Sequence, residues 1–252
     1  MTEEIKINFE MLGGFGLLTT KIPSQMVTSL NQYIDMHVIE ENNSMSDRLV
    51  GQLNRTEKSS QLEIDMTIGT GEMLKTFLDG LGTQYIGSQM GDPGGQASTV
   101  DLWSNDAYEG DYQPLHMHGS KTPAGLSGFL YLKVPPQIQK GPPGYQVNLK
   151  DASGDVDGYT QLVWGSTHTA DILQLKPQSM TYLKPEVGTL FMFPNWLYHQ
   201  VAPFFGEGCR RSVAFNLNIE NSPEYLSRFN VKVVEVSADE RWNAPLVPSF
   251  KE

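Results

Sequence analysis

The feature that most limits how this chain can fold is a change of rhythm near residue 98. Beyond it, short apolar or alternating runs at 100–103, 125–134, 145–149, 172–175, 180–183, 189–193 and 211–219 are separated by Gly, Pro, Asp and Asn. Runs this short and this regularly broken read as strands of an antiparallel sandwich or barrel. Another strand is predicted at 231–236, ahead of a tail with Trp242, Pro245 and Pro248. Before residue 98 the period is different. Residues 6–18 read as an opening strand interrupted by Gly13, Gly14 and Gly16. Ser24, behind Pro23, reads as a helix N-cap, and Met26, Val27, Leu30, Ile34 and Val38 follow at helical spacing. Residues 41–60 are polar and read as loop. A second helix is predicted over 72–85, with Met73, Leu74, Phe77, Leu78 and Leu81 facing inward. The expected fold is mainly β with N-terminal helices. Residues 1–97 would supply a strand and supporting helices packed on a β-barrel core, residues 98–252, as one structural unit.

Composition bears on this only where it excludes something. Hydrophobic residues make up 39% of the 252, and aromatics 10%, enough for a substantial core and against wholesale disorder. A net charge of −11 without a basic run disfavours gripping nucleic acid by its phosphates. The acidic N-terminus lacks the order of a signal peptide, and no apolar stretch reaches the ~20 residues that span a bilayer. Cys209 is the single cysteine, so no intrachain disulfide can form. Together these lead to the expectation of a reducing, cytoplasmic location with no membrane partner. Gly87, Gly91, Gly94 and Gly95 do not make a phosphate loop, because no helix with a Lys-Ser or Lys-Thr follows them.

Of five histidines, two stand in Pro114-Leu-His-Met-His118. Residues two apart on a strand share a face, so both imidazoles would point into one space and offer two ligands to a divalent metal. His199, after the strand-like Gly188-Thr-Leu-Phe-Met-Phe-Pro-Asn-Trp-Leu-Tyr198, is the best third ligand. Three imidazoles suit iron, zinc, copper or nickel, and do not choose among them. His37 reads as a packed helix residue and His168 as a loop residue, neither a ligand. Asp111 is an odd number of positions from His116 and would face away. After His199 comes a tight connection through Gly206 and Gly208, then Arg210-Arg-Ser-Val-Ala-Phe-Asn216. On a strand Arg210 and Ser212 share a face, and a guanidinium beside a hydroxyl is a good clamp for a carboxylate. Ala214 leaves room beside it. Arg211 faces the other way, exposed or in a salt bridge. Trp103, Asn105 and Trp196 are candidates to line the pocket, with core packing as the other reading of the two tryptophans.

With these residues in hand, the stretch from Ser98 to Glu220 resembles the iron(II)/2-oxoglutarate-dependent oxygenase superfamily, on its prolyl-hydroxylase-like side and in its bacterial and phage His-x-His branch. The matching pieces are Leu102-Trp-Ser-Asn105, Gly110, His116-Met-His118, Leu126-Ser-Gly-Phe-Leu-Tyr-Leu-Lys-Val-Pro135, Gly188 to Pro203, and Arg210 to Asn216. The resemblance implies a double-stranded β-helix, the jelly-roll or cupin-like barrel. It implies iron(II) on His116, His118 and His199, and 2-oxoglutarate as cosubstrate with Arg210 on its distal carboxylate. Ser212 would be the hydroxyl partner and Tyr131 a second polar contact. His118 departs from the superfamily pattern, which places Asp or Glu there. The activity implied is hydroxylation of a protein side chain or a small molecule. A homodimer is compatible with the sequence.

Two other readings stay open at this point. One is a three-histidine cupin dioxygenase without 2-oxoglutarate: Gly110 followed by five residues and His-x-His matches the start of a cupin motif. Against it, Thr122 and Pro123 stand where that motif needs a Glu, and the carboxylate clamp would lack a purpose. The other is a non-catalytic metal- or ligand-binding barrel. Residues 135–144 read either as a flexible loop at the pocket mouth or as an ordinary connection.

Overall fold

A computed structural model describes residues 5–12, 14–45, 60–118, 125–139, 156–165 and 179–228. The strands expected at 145–149, 172–175 and 231–236, His168 and the tail with Trp242 lie outside the described residues. So does most of the loop expected at 41–60.

The opening strand is in fact two. β1 (Ile7–Leu12) and β2 (Phe15–Lys21) form an antiparallel hairpin closing at Leu12 and Phe15. Gly14 turns the chain at φ 99°, which a side chain with a Cβ would resist. Helix α1 (Ser24–Tyr33) continues through a π-helical turn, Ile34–Val38, into the short α2 (Ile39–Glu41). Ser24 is its first helical residue, not its cap: Pro23 holds that position and no side chain caps it. Val27, Leu30, Ile34 and Val38 are buried as spaced. His37 lies exposed against Tyr33, at 5.5 Å between rings, rather than packed in the core. After β3 (Ser60–Glu63), helix α3 (Gly69–Tyr85) buries Leu74, Leu78 and Leu81 but leaves Met73 60% exposed. One residue turns a helix by ~100°, so Met73 cannot share the stripe of its neighbour.

The remaining elements are β4 (Gln96–Ala107), β5 (Gln113–His116), β6 (Gly125–Lys133), α4 (Pro136–Gln139), β7 (Thr160–Val163), β8 (Met180–Leu183), β9 (Thr189–Pro194), β10 (Tyr198–Val201), β11 (Arg210–Glu220) and α5 (Pro223–Ser227). They make two antiparallel sheets, ordered β1-β2-β9-β6-β11-β4-β3 and β5-β10-β7-β8. The expected jelly-roll thus stands as two facing sheets, with no closed barrel among the described residues. Both faces of the larger sheet are covered. Its outer face packs Leu102, Leu130, Met192, Val213 and Phe215 against the helices. Its inner face packs Phe129, Tyr131, Phe191 and Phe193 against Leu162 and Leu183 of the smaller sheet. Burial on both sides explains why β6 reads as a nearly unbroken apolar run.

Two features of the outer face have consequences for stability. Arg211 is buried, and its Nε and Nη2 each donate to one oxygen of Asp106 at 2.6 Å, while Nη1 donates to Asp35 at 2.6 Å. Of the two expectations for this residue, the salt bridge is the one realised. At Gly128, in the middle of β6, a Cβ would collide with the Phe191 carbonyl oxygen and lie 2.5 Å from the Phe215 ring. The obstruction includes backbone, so it cannot swing aside. Gly128→Ala is expected to destabilise the protein by about 3 kcal/mol, the upper range for overpacking, as read by urea unfolding. A loss under about 1 kcal/mol would mean that the sheet gives way at this point.

Candidate metal centre

β5 and β10 pair along the edge of the smaller sheet, with His116 directly opposite His199. Directly opposed residues share a face, which brings together imidazoles far apart in sequence. His118 lies just past the end of β5, so strand alternation alone does not aim it. Its backbone N–H donates to the Asn195 carbonyl at 2.9 Å, fixing the chain beside the turn that leads into β10. The ring of Trp103, on β4, stacks on His118 with centroids 6.1 Å apart. One ligand atom from each of the three histidines lies within 4.8 Å of the others.

The hydrogen bonds decide which nitrogens are free for a metal. His116 Nδ1 meets the Pro114 carbonyl at 2.7 Å and His199 Nδ1 the Leu197 carbonyl at 3.0 Å. A carbonyl only accepts, so Nδ1 carries the proton in both rings and Nε2 keeps its lone pair. His118 Nε2 points at His199 Nε2, 3.2 Å away. Two close nitrogens with lone pairs facing each other are a natural seat for a cation. Burial holds His116 and His199 below the ordinary histidine pKa, His199 well below, and the neighbouring imidazoles add to the effect on His199. Burial, then His116, lowers His118 to about 4, against the opposing influence of Asp101 and Asn216. All three are therefore neutral near pH 7, the form that ligates metal. Asp111 is fully buried and accepts from the Tyr108 N–H at 2.8 Å, outside the histidine group.

A second constellation lies deeper. Arg210, at the start of β11, is 5% exposed, and Nη1 donates to the Gly158 and Ala202 carbonyls at 2.9 and 3.4 Å. Its Cζ sits 5.8 Å from the centre of the Phe204 ring. Among the described residues it makes no ion pair. Burial lowers its pKa, with Tyr131 and Asp111 opposing. A buried cation that makes no ion pair costs several kcal/mol, which an anion bound beside it would offset. Tyr131, on β6, stands opposite Ser212, which stands opposite Asn105 on β4. The Tyr131 hydroxyl shares a 2.8 Å hydrogen bond with Thr160 Oγ1 of β7. Thr160 was not legible in the sequence: it sits in a four-residue strand, and only the sheet order carries it to Tyr131. Ala214 leaves the inner face open beside Phe129.

Trp103 and Asn105 do lie on this inner face, and Trp103 Nε1, Asn105 Oδ1 and Gln61 Oε1 are buried without a hydrogen-bond partner among the described residues. Gln61 is directly opposite Asn105 across the β3–β4 ladder. Trp196 is half exposed and packs edge-on against Phe15, at 5.7 Å. Of residues 135–144, 136–139 form the short helix α4, and the rest lie outside the described residues.

A family described as "Putative 2OG-Fe(II) oxygenase" matches residues 101–216, a span that takes in all three histidines, Tyr131, Arg210 and Ser212. No curated protein sequence matches the chain. Among solved structures, a prolyl hydroxylase from Trichoplax adhaerens, in complex with a hypoxia inducible factor oxygen degradation domain peptide, is similar in fold. The TM-score is 0.51 at 13% identity, covering 87% of this chain and 88% of that one. A Pseudomonas putida prolyl-4-hydroxylase gives 0.48 at 15% identity, over 80% and 91% of the two chains. A viral collagen prolyl hydroxylase from Paramecium Bursaria Chlorella virus-1 gives 0.47 at 14%, over 80% and 96%.

Proposed function

We propose that this chain, whose residues 101–216 match a family described as "Putative 2OG-Fe(II) oxygenase", is a hydroxylase using iron(II) and 2-oxoglutarate. The observation that carries the proposal is the presence, in one structure, of a three-histidine cluster and a buried guanidinium that makes no ion pair among the described residues. The first fits a divalent metal and the second fits the distal carboxylate of a dicarboxylic acid. A cupin dioxygenase or a simple metal-binding fold would have no use for the guanidinium. Iron(II) with 2-oxoglutarate and dioxygen supplies an oxidation in which the keto acid leaves as succinate and carbon dioxide, and one oxygen atom enters the substrate.

The chain's own part is binding and orientation. His116, His118 and His199 would hold the metal through Nε2, with Nδ1 of His116 and His199 locked on backbone carbonyls. Arg210 and Ser212 would hold the distal carboxylate, with the Tyr131–Thr160 pair beside them. Trp103 Nε1, Asn105 Oδ1 and Gln61 Oε1 are placed to meet polar groups of cosubstrate or substrate, since an unmade hydrogen bond in a dry site is costly. The substrate would be a polypeptide side chain or a small molecule. No helix among the described residues is long and apolar enough to cross a membrane.

The test is an anaerobic titration of the apoprotein with iron(II) and then 2-oxoglutarate, followed by the weak visible charge-transfer band of a chelated keto acid. The band is expected only with both partners present. His199→Ala should weaken iron binding about a hundredfold or more, while His37→Ala should leave it unchanged. Stoichiometric iron binding with no band would remove 2-oxoglutarate from the reading, and no iron binding would remove the metal centre.

A further inference from the structure

Buried polar atoms in folded proteins are nearly always hydrogen-bonded, so a group of them without partners calls for a ligand or some other cause. Three stand together at the β3 end of the large sheet: Gln61 Oε1, Trp103 Nε1 and Asn105 Oδ1, none with a partner among the described residues. The residues that carry them are 8%, 7% and 7% exposed. Trp103 and Asn105 are two apart on β4, which puts them on one face about 7 Å apart along the strand. Gln61, on β3, is directly opposite Asn105.

Their place in the sheet separates them from the carboxylate clamp. At this level the register runs Gln61, Asn105, Ser212, Tyr131 across four strands. The clamp occupies the Tyr131 end. Gln61 lies two strands beyond Ser212, about 10 Å at ordinary strand spacing, out of reach of an acid held there. In the adjoining row Trp103 faces the small Ala214, and the indole ring stacks on His118 with centroids 6.1 Å apart. A group held by the three side chains therefore lies beside the metal centre, on the side away from the clamp.

The chemistry of the set is two carbonyl oxygens that accept and one indole N–H that donates. An ammonium only donates and would leave the indole unmet. A carboxylate only accepts and would set its oxygens against the two carbonyls. A hydroxyl has one proton for two acceptors. A primary carboxamide brings two N–H donors and an oxygen that accepts twice, and it would still match if one of the two side-chain amides were turned over. We propose that Gln61, Asn105 and Trp103 form a subsite for a primary carboxamide on the substrate, with Gln61 as the residue that sets specificity. An asparagine or glutamine side chain and a small-molecule amide share this chemistry. The inference rests on the hydroxylase reading for calling the bound molecule a substrate, but the binding itself needs neither metal nor cosubstrate.

The test is a titration of the full, metal-free chain, labelled with nitrogen-15 at the tryptophan indoles, with the Trp103 N–H resonance identified by its loss in Trp103→Phe. Propionamide is expected to move that resonance downfield, and propionate and propylammonium to leave it in place. N-methylpropionamide, which keeps one N–H, should bind about fivefold more weakly, the usual net worth of one hydrogen bond. Gln61→Leu should weaken propionamide by about fivefold or more while its thermal midpoint holds or rises, because an unpaired buried carbonyl has gone. Equal binding of the N-methyl compound would replace the carboxamide with a peptide unit and overturn the proposal. So would a Gln61→Leu variant that binds as the parent does, an equal response to propionate or propylammonium, or no response to any probe. Propionamide binding by a chain that takes up no iron would keep the subsite and remove the hydroxylase reading. Iron uptake without propionamide binding would do the reverse.

Discussion

Arg210→Met is expected to abolish cosubstrate binding while leaving the protein at least as stable as the parent. The two halves of that outcome have one cause. Among the described residues Arg210 is hydrogen-bonded to two carbonyls, lies against an aromatic face and makes no ion pair, so Asp111 offsets its desolvation only from a distance. Replacing it with an apolar side chain of similar length removes that burden, and the thermal midpoint should hold or rise. With 2-oxoglutarate present the balance reverses, because the carboxylate supplies the missing charge and the planar fork can meet both of its oxygens. Truncating one partner of such a pair typically costs about 2–5 kcal/mol, which is roughly 30- to several-thousand-fold in affinity. The iron-dependent charge-transfer titration measures it directly. Arg210→Lys, which keeps the charge but loses the fork, should fall between the two. A methionine variant that binds the keto acid as well as the parent would end the assignment of Arg210 to the cosubstrate.

Asp106→Ala is expected to be the most damaging single change for stability. Its carboxylate lies in β4 and takes both Nε and Nη2 of Arg211, with side chains 3% and 7% exposed for Arg211 and Asp106. Without it Arg211 stays buried with Asn31 and with Asp35, its one remaining ion partner among the described residues and a half-exposed one that also serves Lys133. Breaking a buried pair in this way costs about 3–5 kcal/mol. For a chain of this size that is roughly a 10 °C fall in melting temperature. Calorimetry on Asp106→Ala and on the double variant Asp106→Leu with Arg211→Met separates the two effects: the single change should be severe and the double one mild. Equal losses in both would mean that the ion pair itself stabilises, rather than merely avoiding an unpaired charge. The contrast with Arg210 is informative. Adjacent arginines on β11 point to opposite faces of one sheet, one held by carboxylates and the other by backbone carbonyls.

Much of this was legible along the chain because the physics involved is local. The helical stripe from Val27 to Val38 and the alternation that sends Arg210 and Ser212 to one face both follow from backbone geometry within a few residues, whereas His118, past the end of β5, is not aimed by the strand period. Errors arose where a boundary depended on one peptide unit: the turn at Gly14 that makes a hairpin of the opening strand, the cap at Pro23, and Met73 just off its stripe. What only the tertiary structure decided is partnership across the sheets. Asp106 meets Arg211 across 105 positions, and Asp101 meets Asn216 across 115. His116 faces His199, Tyr131 meets Thr160, and Gln61 stands beside Asn105 because of strand order and register. A one-residue slip in register would send each of these side chains to the other face. Side-chain periodicity fixes which way a residue points from its own strand. The strand that lies next to it is set by the burial of both faces of the whole sheet, a quantity that no single stretch of the chain contains.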